Sequence, residues 1–257
     1  MTELRIAAQQ IRYSTISTLR NPAAVFFGLL LPVLFLLIFA TIFGNETIEA
    51  RGNIKTSTYY VPGLVALGVV STTFVNLAIT LVVMRENRQL KRLRGTPLPV
   101  PAFIAGRVSS AFGMAVGLTV VLLAVGRIVY GVSLPSNTVP AVVLGLFTGA
   151  AAFCCLGFAV SSVIPNEDAA PAVTNAIVLP LYFISGVFFP TDDAPAWLND
   201  LAAVFPIKHL AEALLNAFEP TTTGAGIAWT DLGIVAAWGL AGLIVAALTF
   251  RWTPKGE

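Results

Sequence analysis

Long apolar runs alternate with short polar segments along the chain. Six of these runs reach about twenty residues or more, the length that an α-helix needs to cross a bilayer: residues 22–43, 60–84, 103–130, 139–164, 170–189 and 229–250. Helices are expected because backbone groups inside lipid must find their hydrogen-bond partners within the segment. The pattern therefore predicts an all-α membrane protein with six transmembrane helices.

Composition supports this interpretation and excludes an ordinary soluble enzyme. The chain has 257 residues, of which 56% are hydrophobic and 11% are charged, whereas about a quarter of the residues in soluble domains carry charge. The first apolar run is not expected to be a cleaved signal peptide, because its polar lead-in is long and no small-residue cleavage site follows it.

The placement of the basic residues predicts the orientation. Cytoplasmic loops of membrane proteins collect Lys and Arg. Eleven of the fifteen lie before the first run, between the second run and the start of the third, or after the sixth: Arg5, Arg12, Arg20, Arg85, Arg88, Lys91, Arg92, Arg94, Arg107, Arg251 and Lys255. We therefore predict a multi-pass protein of the bacterial plasma (inner) membrane with both termini in the cytoplasm.

Two cytoplasmic segments stand out by their pattern. Residues 1–21 carry apolar side chains at helical spacing beside basic ones, which predicts an amphipathic helix in the membrane surface. That helix either only lies on lipid or also contacts a cytoplasmic partner. Residues 85–94 are compatible with a short basic helix, which Gly95 and the prolines up to residue 101 would end. This segment is either a lever that a soluble partner moves or a basic anchor on anionic lipid.

The segment 190–220 has apolar stripes but is interrupted by proline. It predicts two short helices, at about 194–205 and 206–218, that form a hairpin dipping into the outer leaflet. An ordinary surface loop is the alternative. His209, in this segment, is the chain's single histidine and is expected to be exposed at the interface.

The chain lacks the chemical groups that would allow it to power transport without a partner. No lysine follows the glycine pattern of a phosphate-binding loop, and no ionisable residue lies at the centre of a span. Neutral polar residues remain, which either bond between helices or line a path: Ser71, Thr72, Thr73, Asn76 and Thr80 in the second span, and Thr174, Asn175 and Ser185 in the fifth. The cluster in the second span favours a path. No metal site and no nucleic-acid partner is expected.

Three stretches together resemble the ABC-2 type membrane subunits of ABC exporters, especially the daunorubicin-resistance-like multidrug permeases. Residues 19–44 read LRNPAAVFFGLLLPVLFLLIFATIFG, and residues 85–107 read RENRQLKRLRGTPLPVPAFIAGR. Residues 179–214 read LPLYFISGVFFPTDDAPAWLNDLAAVFPIKHLAEAL and carry the most specific part of the likeness.

The resemblance implies a division of the chain and a set of partners. Residues 1–257 would form a single ABC-2 type transmembrane domain, with 1–21 as the interface helix, 85–101 as the coupling region between spans two and three, and 190–220 as a re-entrant external hairpin between spans five and six. Two such subunits would pair, as a homodimer or heterodimer. Each would dock on a separate nucleotide-binding ATPase that binds ATP and Mg²⁺, so this chain would be neither an enzyme nor a cofactor carrier.

The resemblance also implies which residues contact the ATPase subunit and which border the substrate route. Contacts with the ATPase subunit would fall at Glu86, Arg88, Leu93, Arg94, Thr96, Pro97 and Leu98, and at Arg5 and Arg12 of the interface helix. The loop is more basic than a purely protein-facing element, so some of Arg88, Lys91 and Arg92 are also expected to face lipid. The substrate route would be bordered by Phe35, Thr72, Asn76, Asn175 and Ser185.

The function implied is outward movement of a small hydrophobic or amphipathic compound, such as a drug, an antibiotic or a lipid-like molecule. A lipid-linked glycan is an alternative cargo for the same machinery. An ion-coupled secondary transporter would instead need a buried carboxylate or arginine that titrates. A membrane scaffold or sensor that transports nothing is the remaining alternative.

Overall fold

The structure is a computed structural model, and it describes residues 3–20, 22–44, 46–48, 53–96, 98–190, 194–220, 222 and 224–250. Its elements are α1 (Glu3–Leu19), α2 (Pro22–Phe43), β1 (Thr47–Ile48), β2 (Ile54–Lys55), α3 (Thr56–Val70), a π-helical turn (Ser71–Val75), α4 (Asn76–Glu86), α5 (Gln89–Arg94), α6 (Val100–Tyr130), α7 (Val139–Val163), α8 (Ala169–Ile184), α9 (Ala196–Val204), α10 (Pro206–Asn216) and α11 (Trp229–Thr249). The two strands form a small antiparallel hairpin between α2 and α3.

The mostly helical membrane architecture predicted from the apolar runs is confirmed. Four helical stretches in the described part of the chain are long and apolar enough to cross a membrane: Thr56–Glu86, Val100–Tyr130, Val139–Val163 and Trp229–Thr249. The apolar stretch Gly28–Phe43 within α2 and the whole of α8 are shorter. The first and fifth spans therefore stay predictions.

The helix α3 lies at the centre of the bundle. Fourteen of its fifteen residues are buried, and it packs against α2, α6, α7 and α10. Its side chains Tyr60 and Leu64 join Leu118 of α6 and Leu210 of α10 in the main apolar core. The π-helical turn then continues the same helical stretch into α4, so the second span is one element with a local widening at residues 71–75.

Small residues set the closest approach between helices. A Cβ atom on Gly239 of α11 would lie 2.7 Å from the Cα atom of Ala152 in α7, so these two backbones touch. Gly145 and Gly149 of α7 face Leu214 and Leu210 of α10. Their spacing thus serves packing within the subunit, as small residues do in membrane helices.

Two predicted helix boundaries are wrong. Residues 85–94 are not one helix, because α4 ends at Glu86 and Arg88 adopts a left-handed conformation, with φ of 56°, before α5 begins. The fifth apolar run does not continue as helix to residue 189, because α8 ends at Ile184 and Gly186 turns the chain with φ of 76°. Glycine adopts that conformation without steric cost.

The predicted segment 190–220 holds two short helices, α9 and α10, apart from residues 191–193, which lie outside the described part. Most of α10 is buried, and the helix contacts α3, α7 and α11. Because α10 is packed into the bundle, this segment is more than a surface loop. Its entry into the outer leaflet stays a prediction.

Candidate functional site

The segment between α4 and α6 has an exposed basic surface, and its apolar residues pack on the helix bundle. Arg88, Arg92 and Thr96 are exposed, whereas Leu93 and Leu98 are half-buried against an apolar cluster at this end of the bundle. Of the other predicted contacts, Glu86 is partly exposed and Arg94 has only its backbone described, in the last position of α5. Pro97 lies outside the described residues.

Leu90 holds α5 onto the bundle. Its side chain is fully buried. It lies in the same inner cluster as Leu77 of α4, Phe103 of α6, Phe158 of α7 and Ala246 of α11. Leu90 is absent from the predicted contacts, although an apolar residue inside a basic stretch is the signal that could have identified it. We conclude that α5 is seated on α4 and on an apolar cluster to which α6, α7 and α11 also contribute.

Arg85 is a second anchor, and its role was also missed. It is only 2% exposed. Its Nη1 donates to the carbonyl oxygen of Ser161 at 2.9 Å, and its Nη2 donates to the carbonyl oxygens of Ile164 at 2.8 Å and Pro165 at 3.3 Å. The last carbonyls of a helix have no partner within that helix and attract cations. Arg85 therefore ties the end of α4 to the end of α7.

The helix α1 reaches the same region from the other side. It packs along α6, where a Cβ atom on Gly106 would lie 2.8 Å from Cγ of Gln10. Arg5 and Arg12 are exposed. Since α5 immediately precedes α6, the two segments that the resemblance assigns to the ATPase both adjoin the start of α6.

The residues predicted for the substrate route differ in their exposure, because some lie on the surface of the chain and others are buried. Asn76 and Asn175 are exposed, although both lie on apolar helices. Thr72 is buried, and its hydroxyl donates to the carbonyl oxygen of Gly68 at 2.8 Å, so it bonds within its own helix. Ser185 is also buried, and its Oγ has no hydrogen-bond partner among the residues that the structure describes.

Phe35 belongs to an aromatic cluster that the sequence analysis did not foresee. Its ring meets Phe188 edge-on, with centroids 5.4 Å apart, and Phe39 stacks on Tyr60 at 5.3 Å. Phe188 also approaches Phe183 of α8. Offset and edge-on pairs of this kind stabilise an apolar contact, so the cluster holds α2 against α3 and the chain after α8.

His209 is not the exposed residue that the sequence predicts. Its Nδ1 lies 2.7 Å from Oδ1 of Asp231 in the first turn of α11, and its Nε2 lies 2.8 Å from the carbonyl oxygen of Ala203 in α9. This ring connects the α9–α10 hairpin to α11. Within the described residues, no group of three His, Cys, Asp or Glu side chains could hold a metal ion.

Comparison with known proteins places this arrangement in a family. The family described as "ABC-2 type transporter" matches residues 9–218. The inner membrane transport permease YadH of Escherichia coli (strain K12) is 25% identical over 190 residues, 73% of each chain.

Two further relatives extend the comparison. The probable multidrug ABC transporter permease YbhR of the same strain is 26% identical over 166 residues, 62% of this chain and 43% of the relative. The putative transport permease ycf38 of Porphyra purpurea is 26% identical over 243 residues, 90% of this chain and 79% of the relative. The chain therefore belongs to the ABC-2 type transporter family, and it is a membrane permease subunit of a transporter.

Proposed function

We propose that this chain is the membrane-spanning subunit of an ATP-driven exporter that moves a hydrophobic or amphipathic compound out of the cytoplasm or the inner leaflet. It lies in the inner membrane with both termini in the cytoplasm. ATP and Mg²⁺ bind to a separate ATPase subunit, and a second permease subunit completes the transporter. Family membership and the name of the multidrug relative support this proposal.

The lengths of the helices are compatible with six membrane spans. The 22 residues of α2 correspond to about 33 Å of helix, enough for a hydrocarbon core of about 30 Å. The 16 residues of α8 give only about 24 Å. Ser185, Gly186, Val187 and Phe188 follow α8 and are all buried, so this segment completes the fifth crossing inside protein, where irregular backbone is tolerated in a membrane.

The seating of α5 is the observation that carries the proposal. One face of this short helix is buried through Leu90, and the other carries exposed cations such as Arg92. Arg85, just before it, is bonded to the end of α7. A partner that pushes on α5 would therefore displace α4 and α7 together, because packed interiors transmit strain rather than absorb it. A basic anchor that only touches lipid does not need this rigid attachment.

The coupling surface can be tested by neutralising its exposed cations. We expect the double variant Arg88→Asn and Arg92→Gln to bind the ATPase subunit of the native host about tenfold more weakly, because complementary charges across an interface are lost. Asparagine tolerates the left-handed conformation of residue 88. Affinity is measured with both purified subunits, and ATP hydrolysis by the complex is recorded alongside.

The matched control is Lys55→Gln, which removes an exposed cation from β2. Gel filtration of each variant verifies that it is folded. Unchanged ATPase binding by a folded double variant would contradict the proposed coupling surface.

The exposed amides support a second subunit and a polar route. An uncompensated polar group in hydrocarbon is costly, and such groups in spans face a cavity or a protein partner. Asn76 and Asn175 are exposed on α4 and α8. The Oγ1 of Thr80 donates to Oδ1 of Asn76 at 3.3 Å, which satisfies only part of that amide. We infer that a second copy or a homologous subunit faces these residues across the route.

Replacing both amides by leucine tests this inference. We expect Asn76→Leu with Asn175→Leu to reduce ATP-driven efflux of an amphipathic fluorescent dye from proteoliposomes about tenfold, because the polar positions along the route are removed. The fold should survive, since both side chains are exposed. Thr230→Val, at an exposed position of α11, is the control. Full efflux by the double variant would contradict the route.

A further inference from the structure

A side pocket is lined by described residues that belong to neither predicted site, although Phe74 lies between Thr72 and Asn76 of the predicted route. It has a volume of about 170 Å³ and opens between α8 and the pair formed by α7 and α11. Its walls include Phe153 and Val160 of α7, Ile177 and Leu181 of α8, Phe205 at the α9–α10 junction, and Trp238 of α11. The helix α8 packs against α4, α9 and α10, and the first residues of α10, Pro206 and Ile207, also line the pocket.

The chemistry of the pocket excludes water as a stable occupant. The described residues present no polar atom to it. The indole Nε1 of Trp238 donates to the carbonyl oxygen of Val204 at 2.9 Å and is thereby satisfied within the wall. A buried water needs two to four polar partners, whereas an apolar cavity of about 150 Å³ stays dry and accepts benzene. The occupant of this pocket must therefore be hydrocarbon.

The size of the pocket narrows the choice of hydrocarbon. Sites for drug-sized molecules run from about 300 to 1,000 Å³, so this volume of about 170 Å³ is too small for one. It matches a segment of about six carbon atoms, as in benzene. A single alkyl chain end fits this space, and a bulky cargo does not.

The depth of the pocket shows where such a chain comes from. Trp238 is the tenth of the 21 residues of α11, and Ile177 is the ninth of the 16 residues of α8. Both therefore lie near the middle of their helices, and the middle residues of a helix that spans a bilayer lie near the mid-plane, where the ends of lipid acyl chains meet. Ile177 lines the pocket and is 38% exposed, so the pocket reaches the outer surface of the chain at this residue.

We propose that this pocket binds the end of a phospholipid acyl chain that enters from the bilayer between α8 and α11. The wall that receives the chain is held in place before binding, because the Phe205 ring stacks on Trp238 with centroids 6.3 Å apart and an interplanar angle of 25°. The bound acyl chain packs against the side of α8 that α7 and α11 do not cover. This proposal needs only the membrane location and does not depend on export.

Tryptophan quenching by brominated lipid tests the proposal. The full chain has four tryptophans, Trp197, Trp229, Trp238 and Trp252. One variant keeps only Trp238 and a matched control keeps only Trp229, which is 70% exposed on the same helix, with phenylalanine at the other positions. Each is reconstituted in phosphatidylcholine that carries bromine on the distal half of one acyl chain.

A pocket-filling substitution provides the decisive comparison. We expect brominated lipid to quench Trp238 strongly, and Val160→Phe or Ile177→Phe to remove most of that quenching. Quenching of Trp229 should not respond to either substitution. Two filling positions on different helices are used so that a folding defect in one does not end the test, and gel filtration identifies folded protein.

Two results would overturn the proposal. The first is quenching of Trp238 that neither filling substitution reduces in folded protein, since the quenching lipid would then lie outside the pocket. The second is weak quenching by brominated lipid together with strong quenching by aqueous iodide, since the pocket would then hold water. Dye efflux plays no part in these measurements, so a failure of the proposed export function would be seen separately.

Discussion

Replacing Arg85 by methionine is expected to lower the free energy of unfolding by about 3 kcal/mol. The substitution keeps an unbranched apolar stem but removes three hydrogen bonds from a charged donor to the carbonyl oxygens of Ser161, Ile164 and Pro165. Such bonds contribute about 1.5 to 3 kcal/mol each in favourable settings, although not additively. The acceptors at the end of α7 would be left without this partner.

The measurement is thermal and denaturant unfolding of the purified chain in detergent micelles, followed by circular dichroism. The matched control is Arg92→Met, because Arg92 lies on the exposed face of α5 and surface changes alter stability by no more than about 0.5 kcal/mol. Equal stability of the two variants would show that Arg85 does not fasten α4 to α7.

A bulky side chain at Gly239 is expected to separate α7 from α11 and to destabilise the chain by about 3 kcal/mol. The Cβ atom of Gly239→Leu would lie 2.7 Å from Cα and 2.8 Å from Cβ of Ala152. Neither atom can rotate away, because both belong to the backbone or are attached directly to it. The helices must therefore shift apart, and contacts along their whole interface are lost.

The same helix offers the control. A Cβ atom on Gly233 would meet no heavy atom within 4 Å, so Gly233→Leu should leave the melting temperature nearly unchanged. Unfolding of both variants is compared with that of the unmodified chain under one detergent condition. Similar melting temperatures for the two leucine variants would mean that the close packing at Gly239 is not needed for stability.

These two contacts belong to one mechanical unit. Arg85 joins α4 to α7, and Gly239 allows α7 to pack closely on α11. The short helix α5 packs on α4, and its Leu90 lies in an apolar cluster shared with these helices. A displacement of α5 is thus passed to α4, through Arg85 to α7, and from α7 to α11, which is what the proposed coupling to an ATPase requires. Variants that loosen this unit without unfolding it should uncouple ATP hydrolysis from transport.

The sequence predicted most of the fold because hydropathy is a local property. Runs of about twenty apolar residues predicted long helices, and the described part of the chain has four that are long enough to cross a membrane. The paired prolines and apolar stripes after residue 190 predicted two short helices, which are α9 and α10. Helix ends were less reliable, as the break at Arg88 and the early end of α8 show. Both depend on backbone conformations that hydropathy does not encode.

The candidate site was predictable only in outline. The charge and the prolines of segment 85–101 predict a basic cytoplasmic element, but they do not distinguish Arg85 from the other cations in it. Its acceptors lie 76 and 79 positions further along the chain, and no local pattern shows such a partner. Among the polar residues of the spans, composition did not distinguish exposed Asn76 from buried Thr72. Their different roles follow from which helix faces which neighbour.

The amino-acid sequence alone determined that this is a multi-span helical membrane protein, with a basic segment between two long apolar runs and interrupted helices near residue 200. These properties follow from the free energy of placing each residue in lipid or water, which depends on the residue and its neighbours in the chain. The tertiary structure alone decided that Arg85 closes the end of α7, that Leu90 seats α5, and that an apolar pocket opens beside α8. These depend on which helices meet in space, and contacts between distant segments are set by the packing of the whole bundle.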